Sequence, residues 1–327
     1  MKGLREKRIY RGFLQAGKVF LVIFLLLSAL PYVIPLPEDR EVEEPFAESA
    51  RISIEGVSLH YRIWEPEEIR GKIILVHGLG GSTFSWRHNI EALVNTGYVV
   101  TAVDLPGFGY SSRQKGADHS QKARSRVLWH LMDAIDGSLK AGAASMGWNL
   151  VGHSMGGGTI TAMALQKPPR VNSLVFVAGA VHGRPPGAIS RVLSYPPLVR
   201  WLKVAYPYIL TPERVQGLLA SAYGEEPSAG DVRGYLEPLA LPGTVDTLAD
   251  LLRTPRGFTD DLENIKVPAL LVWGENDAWV PLEFGEMLAD NLPDAELLVM
   301  PDTGHCPMET RPEEFNQALL DFLAALK

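Results

Sequence analysis

Gly152-His153-Ser154-Met155-Gly156 joins an apolar run, Trp148-Asn149-Leu150-Val151, to a glycine-rich stretch, Gly157 to Leu165, that reads as a helix. A buried strand that turns into a helix within five residues forces its central residue into strained backbone angles. The turn closes only if the positions two before and two after carry no bulk, which Gly152 and Gly156 satisfy. The Ser154 hydroxyl is then held clear of the sheet at a helix N-terminus, where the backbone dipole favours developing negative charge. A plain glycine-rich turn has the same composition, so the reading of Ser154 as a nucleophile rests on its partners.

Around this unit, strand and helix signals alternate from Lys72 onward: a strand at 72–76, a helix near 84–95, a strand at 98–103 and a helix near 120–138. Further strands read at 173–178, 269–273 and 295–300. Such alternation predicts an α/β fold, a mostly parallel sheet with helices on both faces. Arg51–Ile54 and Val57–Trp64 flank Glu55-Gly56 with alternating apolar residues, a hairpin pattern. The last helix, around Pro312–Leu326, sets Phe315, Leu319, Phe322, Leu323 and Leu326 on one stripe. Residues 183–256 break the alternation, being helix-like and proline-punctuated, with Leu193, Tyr195, Leu198, Val199, Trp201, Leu202, Val204, Tyr206, Tyr208 and Ile209 close together. These apolar residues suit either the core of the insertion or the lining of an apolar pocket.

A serine hydroxyl attacks only when a base takes its proton and an acid orients that base. Of the eight histidines, His305 alone lies in a loop near the C-terminus after a clear buried strand, Ala295–Met300. Ligands meet a parallel sheet at the carboxyl ends of its strands, so His305 emerges on the same edge as Ser154. The loop after Ala269–Trp273 offers two carboxylates, Glu275 and Asp277, whereas the loop Gly179–Arg184 after the preceding strand offers none. The oxyanion requires two backbone N–H groups. One is Met155, directly after the nucleophile, and the other is Leu79, in the loop His77-Gly78-Leu79-Gly80-Gly81 after the strand at 72–76. His77 and His153 read as braces of tight turns, and His60, His88, His119 and His130 have no context that points to chemistry.

These stretches, together with Asp104-Leu105-Pro106-Gly107-Phe108-Gly109-Tyr110-Ser111, resemble the α/β-hydrolase superfamily, in its branch of capped serine hydrolases. That branch includes carboxylesterases, lipase-like enzymes and carbon–carbon bond hydrolases. The resemblance covers roughly residues 50–327 and keeps the family's order of nucleophile, acid and base. It implies that Asp277 rather than Glu275 orients His305, and that 183–256 forms a helical cap over the strand ends. Haloalkane dehalogenases and epoxide hydrolases look similar but carry aspartate where this chain has Ser154, which argues against both activities. The implied reaction is hydrolysis of a small, apolar carboxylic ester through an acyl-enzyme. The same triad serves carbon–carbon bond, thioester or lactone hydrolysis. The alternative of another class is a non-catalytic binding protein on the same fold.

One cysteine, Cys306, excludes an internal disulfide and a multi-cysteine metal site. No cluster has metal-ligand spacing and no glycine-rich loop carries the lysine of a phosphate cradle, so no metal or cofactor is expected. A net charge of −7 gives no broad basic field for nucleic acid. The charge is uneven, however. Lys2, Arg5, Lys7, Arg8, Arg11 and Lys18 against Glu6 make residues 1–18 a basic segment of +5, leaving −12 on the remainder. Residues 19–37 are uncharged and apolar, close to the roughly 20 residues that a membrane span needs. They read as a membrane anchor, or alternatively as a cleaved signal peptide, and Leu27-Ser28-Ala29-Leu30 is a poor cleavage site. Either way the basic end stays in the cytoplasm and the catalytic domain lies outside it. An acidic linker at 38–50 leads into a core of 51–182 and 257–327, interrupted by the cap at 183–256.

Overall fold

The computed structural model describes residues 2–36, 45–181, 187–254 and 261–326. The chain opens with helix α1 (Lys2–Ala29), followed by a 3-10 turn at Leu30–Tyr32. The apolar span therefore runs Tyr10–Tyr32, 23 residues with its apolar window wholly unburied, and begins earlier than the expected 19–37. Arg11 and Lys18 are good helix formers and do not interrupt the helix. Pro31, which lacks an N–H, ends it. Of the expected linker, 38–44 lie outside the described residues, and Ser49 and Ala50 already belong to the first strand.

β1 (Ser49–Ile54) and β2 (Val57–Trp64) form the expected antiparallel hairpin, with Ile54 opposite Val57. Glu55 and Gly56 both take positive φ, 51° and 82°, as a tight turn matched to strand twist demands. Six further strands follow: β3 (Gly71–Val76), β4 (Tyr98–Val103), β5 (Trp148–His153), β6 (Val171–Val177), β7 (Ala269–Gly274) and β8 (Ala295–Met300). The sheet has the order β1-β2-β4-β3-β5-β6-β7-β8. From β4 to β8 every pairing is parallel, and β2 joins β4 antiparallel. Every residue of β3, β5 and β7 is buried, which is why these strands read in the sequence as largely apolar runs.

Helices cover both faces. Ile74 and Val76 of β3 join one core with α3 (Gln121–Ser138), α4 (Ala141–Ala144) and α5 (Met155–Gln166). Ile73 and Leu75, pointing the other way, join a second core with α2 (Ile90–Asn95). The helix expected near 84–95 is split, because a Ser82-capped 3-10 turn at Thr83–Trp86 precedes α2. Asn89, at the junction, spends its side chain on the Met308 carbonyl (3.0 Å) and Asn316 (2.9 Å) instead of capping α2.

Between β6 and β7 the described residues hold five helices and no strand: α6 (Ala188–Leu193), α7 (Pro196–Ile209), α8 (Pro212–Tyr223), α9 (Ala229–Leu239) and α10 (Thr244–Arg253). The boundaries expected at 182/183 and 256/257 lie outside the described residues. After β7 come α11 (Leu282–Asn291), which packs on the first core through Leu288, then β8, α12 (Pro307–Thr310) and α13 (Pro312–Ala325). Phe315, Leu319 and Leu323 of α13 seal the second core, with Phe322 and Leu326 packed at its margin.

Candidate active site

Ser154 sits at the carboxyl end of β5 with φ 48° and ψ −117°, a left-handed conformation that costs a non-glycine residue on the order of 1–3 kcal/mol. The surrounding chain holds it there. The Ser154 N–H donates to the Val177 carbonyl (2.9 Å), and the Ser154 carbonyl accepts from Gly157 (2.9 Å) and Ala180 (2.8 Å). A Cβ on Gly152 would lie 2.6 Å from the Gly156 oxygen, and one on Gly156 would lie 2.4 Å from the Val76 oxygen. The two glycines therefore let the helix start pack against the strands on either side of the turn.

His305 and Asp277 meet in the loops after β8 and β7. His305 Nδ1 lies 2.7 Å from Asp277 Oδ2, and both side chains are buried. The other Asp277 oxygen accepts the backbone N–H groups of Trp279 (2.8 Å) and Val280 (2.9 Å), which fixes the plane of the carboxylate. A carboxylate accepts only, so Nδ1 carries the proton and Nε2 is left as the basic nitrogen. The indole of Trp279 stacks on the imidazole at 5.7 Å with 20° between the planes. Glu275, the other carboxylate of the loop, is exposed and accepts a 3.3 Å bond from the Asp302 N–H.

The loop after β3 lies against the serine: a Cβ on Gly78 would be 3.0 Å from Ser154 Cβ. His77 controls this loop. Its Nε2 accepts the Leu105 N–H (3.0 Å), which leaves Nδ1 protonated to donate to the Gly78 carbonyl (2.6 Å). Gly81 N–H donates to the same carbonyl at 3.2 Å. No peptide bond among the described residues is cis, so fixing the Gly78 carbonyl turns the Leu79 N–H to the opposite side of that peptide plane. Met155 supplies the first N–H of α5, one of the donors that a helix leaves without an internal partner.

The sequence profile of the alpha/beta hydrolase family matches residues 73–318. The chain belongs to the alpha/beta hydrolase family. A 2-hydroxy-6-oxononadienedioate/2-hydroxy-6-oxononatrienedioate hydrolase of Burkholderia vietnamiensis is 31% identical over 271 residues, 77% of this chain and 86% of that protein. The uncharacterized hydrolase YugF of Bacillus subtilis is 27% identical over 282 residues, 84% of this chain and 97% of that protein. Among solved structures, a bacterial membrane phospholipase A superposes with a TM-score of 0.68 at 24% identity, covering 100% of this chain and 99% of that one. An esterase from Thermogutta terrifontis superposes with a TM-score of 0.67 at 22% identity, covering 86% and 99%. At these identities the two superpositions establish the fold alone. The chain is a hydrolase of this family.

Other histidines of this alpha/beta hydrolase brace the site. His153 Nε2 lies 3.0 Å from the His305 carbonyl, and its ring is 4.8 Å from that of His305. His60, which has no supporting context in the sequence, is buried between Ser49 Oγ (2.8 Å) and Asp104 Oδ2 (2.7 Å). Asp104 also accepts the N–H groups of Thr83 (2.6 Å) and Tyr110 (2.7 Å), tying the early loops together. His119 is buried with neither ring nitrogen hydrogen-bonded. Cys306 is buried 3.9 Å from His153, and burial pushes its thiol well up, so it is no nucleophile.

Burial holds three of these histidines neutral: His77 and His153 are shifted down, and burial together with Arg124 pushes His119 down to about 4. The unfolded chain protonates them near their ordinary value, so it binds more protons than the folded one and stability rises with pH. The contribution is present above pH 6.5 and is lost as the pH falls from there toward 4. Replacing His119 by Gln is therefore expected to reduce the loss of stability between pH 6.5 and 4, read as a smaller slope of unfolding free energy against pH in urea titrations. An unchanged slope would show that this ring charges within the fold.

The helices between β6 and β7 contact both loops of the site. The His305 N–H donates to the Ala222 carbonyl of α8 (2.6 Å), and Trp279 Nε1 donates to Ser221 Oγ (3.1 Å). Behind them, fully buried Glu309 of α12 accepts from Arg87, from Tyr223 of α8 (2.8 Å) and from Tyr235 of α9 (2.6 Å). Arg87 also pairs with Asp231 of α9. No spacing in the sequence points to this cluster, whose members are drawn together from four separate elements. Of the apolar residues at 193–209, Val199 and Tyr206 pack with Val245 and Ala249 of α10, whereas Leu202, Tyr208 and Ile209 are exposed.

Proposed function

We propose that the protein is a membrane-anchored serine hydrolase that cleaves carboxylic esters through an acyl-enzyme. Ser154 is the nucleophile, His305 the general base and then the general acid, and Asp277 the orienting carboxylate. Helices α6 to α10 form the cap. Ser154 Oγ attacks the ester carbonyl carbon as its proton passes to His305 Nε2, and the carbonyl oxygen takes the negative charge. The Leu79 and Met155 N–H groups stabilise that oxyanion. Collapse breaks the C–O bond and the alcohol leaves with the proton from His305. Water, deprotonated by the same nitrogen, attacks the acyl group, and release of the acid restores Ser154. The observations that carry this reading are the buried Asp277–His305 contact in the loops after β7 and β8, and the strained turn that holds Ser154 at the end of β5. A fluorophosphonate probe is expected to label the protein at Ser154, and esters of graded acyl length then give the substrate range. Absence of labelling in active, folded protein would remove the triad assignment.

A second reading is carbon–carbon bond hydrolysis of a vinylogous diketone, favoured by the 31% identity to a hydrolase named for such a substrate. Turnover of a coloured meta-cleavage dienoate with no turnover of esters would decide for it.

The topology follows from charge. A +5 segment resists translocation, and the −12 remainder carries no comparable basic block. The N-terminus stays inside and the hydrolase domain lies outside. The chain is expected to stay in the membrane fraction through alkaline carbonate, and protease added outside is expected to leave a short basic stub. Recovery of a soluble protein beginning between Pro31 and Glu38 would identify a cleaved signal peptide instead.

A further inference from the structure

The last turn of α1 does not end free. Trp201 Nε1 of α7 donates to the Leu27 carbonyl (2.8 Å), and Arg200 donates to the carbonyls of Pro31 (3.0 Å) and Ile34 (2.7 Å). Tyr195 stacks on Phe24 at 6.2 Å, its hydroxyl lies 3.4 Å from Ser28 Oγ, and the Arg200 guanidinium lies over Tyr32. The final carbonyls of a helix have no internal partner, and in an apolar medium such groups must find donors. Trp201 supplies one for Leu27, and Arg200 binds the two carbonyls just beyond the helix, so α7 is fixed to the point at which the apolar helix stops. Beyond this joint α6 and α7 leave large apolar side chains exposed: Val192 is 63% exposed and Tyr208 82%, and Leu193, Leu202 and Ile209 are exposed as well. Tyr195, Trp201 and Tyr32, of the residue types that settle at a membrane–water interface, all take part in the joint.

We infer that the outer face of α6 and α7 lies in the interfacial layer of the bilayer that α1 crosses, so that the cap receives acyl esters from the membrane. The inference rests on the anchored-hydrolase reading above. Its occupant is lipid: α7 is joined to an apolar helix whose own apolar window is unburied, and among the described residues no apolar surface covers Leu202, Tyr208 and Ile209. Binding of this kind scales with the apolar area inserted. Because Trp201 and Arg200 lock α7 to α1, the cap does not need to find the membrane by diffusion.

The test places an environment-sensitive nitrobenzoxadiazole probe on Leu202→Cys in the intact chain, reconstituted in phosphatidylcholine–phosphatidylglycerol vesicles. The control position is Lys140→Cys, on the exposed start of α4. The Leu202 probe is expected to emit at shorter wavelength and to be quenched by lipids spin-labelled near the headgroup, and the Lys140 probe to do neither. The variant Leu202→Glu/Ile209→Glu is expected to lose about tenfold in kcat/KM on a long-chain ester embedded in vesicles, with a water-soluble short ester unaffected. A Leu202 probe that reports water, or a variant that changes equally on both substrates relative to the parent, overturns the inference. A blue-shifted probe that spin-labelled lipid does not quench, and that reverts on dilution into excess lipid, assigns the face to a second copy of the chain and also overturns it. The fluorescence arm needs no catalysis, so failure of the Ser154 assignment leaves it intact. Carbonate extraction tests the anchor separately.

Discussion

Ser154→Ala is expected to lose on the order of 10³-fold or more in kcat/KM on a short-chain ester while unfolding at the same urea concentration as the parent. The substitution removes the attacking oxygen and leaves the rest of the site standing. The Leu79 and Met155 amides proposed to hold the oxyanion are untouched, so a residual rate above that of water is expected. Stability is nearly unchanged because alanine meets the same left-handed strain at φ 48° that serine does. Ser154→Gly separates the two effects: it is expected to be equally inactive but more stable, because relief of roughly 1–3 kcal/mol of strain outweighs the roughly 0.4–1 kcal/mol of entropy that glycine adds to the unfolded chain. A folded Ser154→Ala enzyme with near-parental turnover would end the assignment of Ser154.

What the sequence reveals and what it conceals divide by the range of the interactions. β3, β5 and β7 are legible because a strand buried on both faces is largely apolar, with Lys72 and Asn149 the polar exceptions at the starts of β3 and β5. The Glu55-Gly56 hairpin and the Ser154 turn are legible because backbone geometry at those points restricts the residue type locally. The split of the helix near 84–95 is not, since it depends on Asn89 reaching Met308 and Asn316, more than two hundred residues away. The extent of α1 is hidden for the opposite reason: a charge count marks where the uncharged run begins, whereas the helix runs through Arg11 and Lys18.

The site follows the same division. Ser154, Asp277 and His305 stand at strand ends, where the topology gathers chemistry, and they can be located one loop at a time. Their supports cannot. His60 reads as unremarkable until Asp104 is seen beside it, and Glu309 becomes meaningful only with Arg87, Tyr223 and Tyr235 around it. The long apolar run in the cap is ambiguous for a related reason. Periodicity marks an apolar face of α7 but says nothing of whether protein, substrate or membrane covers it.

Asp277→Asn is expected to cost about 10²- to 10⁴-fold in kcat/KM with little change in structure. The Trp279 and Val280 N–H groups hold one oxygen of the side chain, so an asparagine settles with its carbonyl oxygen toward them and its amide nitrogen toward His305. That nitrogen donates, and His305 Nδ1 must then accept. The ring proton moves to Nε2, the nitrogen required to take the proton from Ser154, and the base is lost without being displaced. The missing negative charge also leaves the imidazolium of the transition state uncompensated. Glu275→Gln is the matched control, being two residues away, exposed and bonded only through the Asp302 N–H at 3.3 Å. Its rate is expected to stay within about twofold of the parent, as for a surface charge without a catalytic contact. If Glu275→Gln proves the more damaging change, the orienting carboxylate is Glu275, and the loop must rearrange when substrate binds to bring it onto His305.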